Sequence, residues 1–160
     1  MPWVRFTIFK CIITCHIFKI VINSGNGSAG PTFDALEKKL KDFGVEAKFI
    51  RVNHDPDPSF PNGVPNPMLE HQREKTKSAI INNGANFGVA FDGDFDRCFL
   101  FDHTGAFVSG EYLVGLLAEI FLKKEKSAAI VYEPRVIWNT LNSIQKFGGE
   151  AILSKTGHTL

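Results

Sequence analysis

The sequence predicts an α/β fold: a three-layer α/β/α domain with a mixed sheet, followed by a truncated second α/β unit of the same kind. Three observations carry this. Short apolar runs alternate with amphipathic helical stretches, as in sheets covered by helices. A glycine-rich turn, Asn23 to Pro31, joins the first strand to the first helix. The last strand, Glu150 to Leu153, stands in the middle of a further alternation when the sequence stops.

In chain order, Met1 to Phe18 is apolar and aromatic, but Arg5, Lys10 and His16 interrupt it. A membrane span needs about 20 mostly apolar residues, and a signal peptide needs a small-residue cleavage site. Neither is present, so this stretch is expected to be a buried segment or a remnant outside the domain. Lys19 to Ile22 reads as a strand. A helix then starts with Pro31 at its first position, places Phe33, Leu36, Leu40 and Phe43 on one face, and ends at Gly44. Val45 to Val52 is the next strand. The proline-rich loop from Asn53 to Met68 is long enough to be functional or a fixed cover. Leu69 to Asn82 reads as a polar helix closed by Gly84.

Phe87 to Phe91 and Cys98 to Phe101 are strands, and Asp102-His103-Thr104-Gly105 is a hairpin turn returning through Ala106 to Ser109. The second unit begins at Gly110. Its first helix shows a broad apolar face of Tyr112, Leu113, Leu116, Leu117, Ile120 and Phe121. The strand Ala128 to Tyr132, the helix Val136 to Phe147 and the strand Glu150 to Leu153 follow.

Between two of these strands stands Asp92-Gly93-Asp94-Phe95-Asp96-Arg97. Carboxylates at alternate positions repel, by about 1 kcal/mol at ~4 Å in water and several-fold more near a protein surface. A hard divalent cation such as Mg²⁺ or Ca²⁺ offsets that repulsion, because it prefers carboxylate oxygens. Arg97 adds a positive fork suited to a phosphate oxygen. The alternative is a solvated acidic turn. An EF-hand is excluded, since its sixth and twelfth positions, Gly and Glu, are here Arg97 and His103.

Gly25, Gly27 and Gly30 satisfy the G-x-G-x-x-G pattern, so a dinucleotide-binding domain has to be weighed. The next strand lacks the expected ribose-binding acid, ending instead in Asn53-His54 with Asp55 beyond. A tight turn with close helix–strand packing, or a turn lining a cleft, are the other readings. The net charge of +1 gives no footprint for nucleic acid, and the 15 Phe against 2 Tyr suggest filled cores rather than stacking platforms. Cys11, Cys15 and Cys98 form neither a zinc pattern nor an even disulfide set, which points to a reduced, cytoplasmic setting.

Several stretches together, in one order, resemble the α-D-phosphohexomutases, the phosphomannomutase/phosphoglucomutase family. They are Asn23 to Pro31, Phe60-Pro61-Asn62-Gly63-Val64-Pro65-Asn66-Pro67, Phe91 to Arg97, Gly115-Leu116-Leu117-Ala118-Glu119 and Ser154-Lys155-Thr156-Gly157-His158. The acidic loop and the following Cys98-Phe99-Leu100-Phe101 look most like the bacterial phosphomannomutases. The resemblance implies four domains around one cleft. Residues 19–106 would be the second domain, 107–160 part of the third, and 1–18 unassigned.

It further implies phosphoryl transfer between carbons 6 and 1 of a mannose or glucose phosphate, through a phosphoserine and Mg²⁺. Asp92, Asp94 and Asp96 would hold the metal and Arg97 would act on the transferring group. Arg135 and His158 would contact the sugar phosphate; on the residues alone, a surface arginine and a structural histidine are the alternatives. The family's Thr-Ala-Ser-His-Asn, Gly-Glu-Met-Ser and Arg-Pro-Ser-Gly-Thr stretches have no match in the 160 residues. The expectation is therefore a fragment, inactive alone, whose partners are the remaining domains of the same enzyme. A non-catalytic metal- or sugar-phosphate-binding module is the rival reading. No nucleic-acid or membrane partner is expected.

Overall fold

A computed structural model describes residues 17–156. The chain divides into two compact units that meet between Phe107 and Val108. In the first, β1 (Phe18–Asn23), β2 (Ala47–Val52), β3 (Phe87–Phe91), β4 (Cys98–Phe101) and β5 (Phe107–Val108) form one sheet in the order β2-β1-β3-β4-β5. β1 runs parallel to both β2 and β3, with Asn23 level with Val52 on one side and Ala90 on the other. β4 is antiparallel to β3. The sheet is mixed, as expected.

Alternation along the strands assigns the helices to opposite faces. On one face Phe33 of α1 (Ala29–Asp42) meets Phe49 edge-on at 5.0 Å, and Arg51 pairs with Asp34 and Glu37 of the same helix. On the other, α2 (Glu74–Asn83) lays Ile80 against Val21, Ala90 and Phe101, and Asn23 Nδ2 donates to Thr76 Oγ1 at 2.9 Å. Helix, sheet and helix make the three layers. Each large side chain buried there, Ile80 and Phe101 among them, stabilises the domain by about 1.5–3 kcal/mol relative to exposure.

Local details differ from the sequence reading. α1 begins at Ala29, so Pro31 is its third residue; this costs no hydrogen bond, because the first four helical N–H groups have no partner inside the helix. Only Phe33 of its expected apolar face is buried, while Leu36 and Phe43 are exposed. The helix expected over Leu69 to Asn82 is split into a 3₁₀ turn (Glu70–Gln72) and α2. At the break, the Arg73 guanidinium donates to the carbonyls of Pro67 and Met68 and lies 3.9 Å over the Phe107 ring.

The second unit has α3 (Gly110–Lys124), β6 (Ala129–Tyr132), α4 (Ile137–Phe147) and β7 (Glu150–Leu153), with β6 and β7 parallel. Its core is Ala118, Leu122 and Ile144, backed by Ile130, Tyr132 and Phe147. The apolar face expected on α3 points elsewhere: Tyr112, Leu116, Leu117, Ile120 and Phe121 are exposed, and the buried stripe is Gly115, Ala118 and Leu122. The helices meet through small residues. A Cβ on Gly115 would lie 2.0 Å from Asn139 Nδ2, so glycine lets the Asn139 amide lie directly on this helix. Met1 to His16 and Gly157 to Leu160 lie outside the described residues. Among the described residues no helix is long and apolar enough to cross a membrane.

Candidate metal centre

Because β1, β2 and β3 are parallel, their C-terminal ends open on one edge of the sheet. β1 lies between two strands reached in opposite directions, the switch point at which open α/β sheets place ligands. Three loops leave from this edge: the glycine turn after β1, the proline-rich loop after β2 and the acidic loop after β3.

The backbone locks the three together. Ser28 donates its N–H (3.1 Å) and its hydroxyl (3.3 Å) to the Gly93 carbonyl. Asn26 N–H donates to the Asn53 carbonyl at 2.7 Å, and Asp57 N–H returns to the Asn26 carbonyl at 2.8 Å. The three glycines of the turn are needed where chain meets chain. A Cβ on Gly27 would lie 2.4 Å from the Gly93 oxygen, one on Gly25 would lie 2.4 Å from Pro65 Cβ, and one on Gly30 would lie 2.0 Å from the His54 oxygen. The turn is thus seated directly against the acidic loop and the proline-rich loop. Two of the readings open for this turn describe it together: Gly30 brings α1 close to the chain leaving β2, and Gly25 lines the cavity at the strand ends.

Asp92, Asp94 and Asp96 each offer an oxygen, and these oxygens lie within 4.8 Å of one another. Asp92 is 1% exposed at the end of β3, while Asp94 and Asp96 are exposed. Arg97 closes the loop: its Nε donates to Asp92 Oδ2 at 2.5 Å and to Asp96 Oδ1 at 3.2 Å, and its N–H donates to Asp92 Oδ1 at 3.1 Å. Phe95 takes a left-handed backbone, φ 66°, and packs its ring on Phe91 at 4.8 Å between centroids. Its side chain thereby anchors the apex between the last two carboxylates.

Burial pushes the Asp92 carboxyl up, but hydrogen bonds from the Arg97 backbone, from Asp96 and from the guanidinium outweigh it and hold it below the ordinary value. Asp96 is raised, first by its contact with Asp92, then by desolvation and the Asp94 charge. Arg97 is raised by Asp92. The guanidinium thus supplies part of the neutralisation that the sequence alone would leave to a cation. The donor set fits a small hard ion: all oxygen, three carboxylates, two of them open to further ligands. Oxygens around Mg²⁺ at 2.0–2.1 Å sit about 3 Å apart, so the loop would contract on binding.

A cavity of about 460 Å³ opens at the same strand ends, lined among others by Asn23, Asn53, Asn62, Pro65, Lys75 and Phe91. Sequence reasoning marked its proline-rich wall as functional or a cover but did not single out these amides. Arg135 belongs to the second unit, after β6, where its fork is engaged by Glu133: Nε to Oε1 at 2.6 Å and an Nη to Oε2 at 2.8 Å. His158 lies outside the described residues.

Residues 12–105 match the family model for phosphoglucomutase/phosphomannomutase, alpha/beta/alpha domain II, which reaches into the stretch the sequence left unassigned. A phosphomannomutase of Escherichia coli K12 is 54% identical over 140 residues, covering 88% of this chain and 31% of that protein. The chain spans about 31% of the length of such curated relatives. Among solved structures, a phosphoglucomutase/phosphomannomutase family protein of Burkholderia thailandensis superposes with TM-score 0.82 and 30% identity, covering 91% of this chain and 31% of that one. An N-acetylphosphoglucosamine mutase of Aspergillus fumigatus, solved with GlcNAc-6P and magnesium, shares the fold at TM-score 0.63 and 19% identity, covering 88% of this chain and 31% of that one.

Proposed function

Because the chain belongs to the phosphoglucomutase/phosphomannomutase family, we propose that it supplies the metal loop of a phosphomannomutase-like enzyme. That enzyme moves phosphate between carbons 6 and 1 of a mannose or glucose phosphate. The observation that carries this reading is the convergence of Asp92, Asp94 and Asp96 beside Arg97, at the strand ends where such sheets bind ligands.

A bound Mg²⁺ would supply Lewis-acid polarisation of a phosphoryl oxygen. The chain's own groups do the rest. Asp92, buried and held ionised by Arg97, is the fixed point of the ligand set; the exposed Asp94 and Asp96 adjust around it. Once the carboxylates are otherwise neutralised, Arg97 can turn its planar fork to a transferring phosphoryl group and stabilise its spreading charge. Arg135, released from Glu133, offers a second fork for the sugar phosphate, and His158 a further polar contact. Three cysteines without a zinc or disulfide pattern support a reduced, cytoplasmic setting for the enzyme.

Calorimetric titration of the chain with Mg²⁺, beside Asp94→Asn, tests the site. The wild-type chain should bind one Mg²⁺ and gain about 2.7 kcal/mol of stability at a hundredfold excess over Kd, and Asp94→Asn should lose most of both. Equal binding and equal thermal shifts in the two proteins would show that these carboxylates are not the ligands.

A further inference from the structure

On the side of the glycine turn away from the acidic loop lie three polar residues with no part in the reading above. His54 Nε2 is 3.1 Å from Asp34 Oδ2, and His54 Nδ1 is 3.4 Å from Ser24 Oγ. Serine, histidine and aspartate in series have the composition of a nucleophilic triad. That reading fails, because Ser24 is 0% exposed and no substrate carbonyl can reach its hydroxyl. Ser24 is buried and the His54 ring largely so, while Asp34 stands half exposed on α1, so the trio ties the surface of that helix to the buried turn.

The contacts continue past Ser24. Its carbonyl accepts from Gly27 N–H at 2.9 Å, and the adjoining Ser28 donates both its N–H and its hydroxyl to the Gly93 carbonyl. Gly93 separates the ligands Asp92 and Asp94. The His54 carbonyl, meanwhile, abuts Gly30 in the first turn of α1, so the residue is held by backbone as well as by side chain. Hydrogen bonds joined by short covalent steps within the glycine turn therefore link Asp34 on α1, through the His54 ring, to the middle of the acidic loop.

We infer that His54 is a positioning residue for the metal loop: through Ser24 it fixes the glycine turn, and the turn fixes Gly93 and with it the spacing of the carboxylates. The inference rests on the metal reading of that loop. With the ring proton on Nε2, Asp34 accepts it and Nδ1 is the atom that faces the Ser24 hydroxyl. Outer groups that orient metal ligands change affinity 10–100-fold when removed.

The geometry specifies which substitutions matter. Asparagine places its amide oxygen near the position of Nδ1 and can keep the Ser24 bond. Glutamine reaches toward Asp34 and loses Ser24. Two readouts on the purified chain separate the questions: amide exchange at Ser28 without metal, and Mn²⁺ affinity by paramagnetic resonance as a stand-in for Mg²⁺. In His54→Gln, Ser28 exchange should quicken about tenfold and Mn²⁺ affinity should fall about tenfold. His54→Asn should stay within about twofold of wild type in both. Unchanged Ser28 exchange in His54→Gln, or equal losses in Gln and Asn, overturns the positioning role whether or not metal binds. Failure of the wild-type chain itself to take Mn²⁺ would instead sink the metal reading, while the exchange measurement still decides the role of His54.

Discussion

Replacing Gly27 by alanine adds one methyl group at the point where the glycine turn crosses the acidic loop. Gly27 does not have a left-handed backbone, so alanine meets no conformational strain there. The effect is steric alone. The added carbon would lie 2.4 Å from the Gly93 oxygen, about 1 Å inside ordinary contact. The obstacle is backbone, which cannot rotate away as a side-chain tip can. Overpacking of this kind costs about 1–3 kcal/mol. The larger consequence falls on the site, because metal–ligand distances tolerate only about ±0.2 Å and the displaced Gly93 lies between two of the carboxylates.

Gly44→Ala is the matched control. It is strained by its φ of 76° but has nothing within 4 Å of the added carbon. Urea melts should show both variants destabilised, Gly27→Ala by about 1–3 kcal/mol and Gly44→Ala by about 1–2 kcal/mol. Calorimetry should show Mg²⁺ affinity lost at least tenfold in Gly27→Ala alone. Equal Mg²⁺ affinities in the two variants would refute the claim that the glycine turn sets the geometry of the acidic loop.

Two further outcomes are expected. A coupled assay of the chain with mannose 1-phosphate, bisphosphate activator and Mg²⁺ should give background only, since the 160 residues hold no match to the serine stretch that would accept the phosphate; turnover above that of Asp92→Ala would contradict this. Asp102, whose pKa is lowered first by the Thr104 hydroxyl and then by the Ala106 N–H, stabilises the hairpin while ionised. That contribution is complete above the ordinary carboxylate range and is lost as pH falls through the depressed folded value. The stability difference between wild type and Asp102→Asn should therefore shrink in acid, and a constant difference down to the lowest pH at which the chain stays folded would count against it.

The sequence showed the acidic loop because its evidence is local: alternate carboxylates between two apolar runs. Strand and helix alternation was legible for the same reason. What escaped was set by partners far along the chain. Nothing near Gly27 in sequence indicates that residue 93 will lie against it. The apolar face of α3 was misplaced because periodicity weighs size, whereas helices pack closest where side chains are smallest, at Gly115 and Ala118. The break before α2 depended on Arg73 finding carbonyls behind it and an aromatic ring on β5. His54 looked like the residue where a ribose acid was missing. Its bonds to Asp34 and Ser24 could not be read from that position.

The interlock of three loops also dictates an order of events. The ligand geometry depends on contacts between the glycine turn and a loop 65 residues later, and such long-range pairings carry the loop-closure entropy that slows folding. The carboxylates acquire their spacing only when β1, β2 and β3 already stand side by side. A cation captured by the loop therefore cannot template the chain. If the loop takes Mg²⁺, folding kinetics with and without the ion should show an unchanged folding rate and slower unfolding, the pattern of contacts made after the transition state.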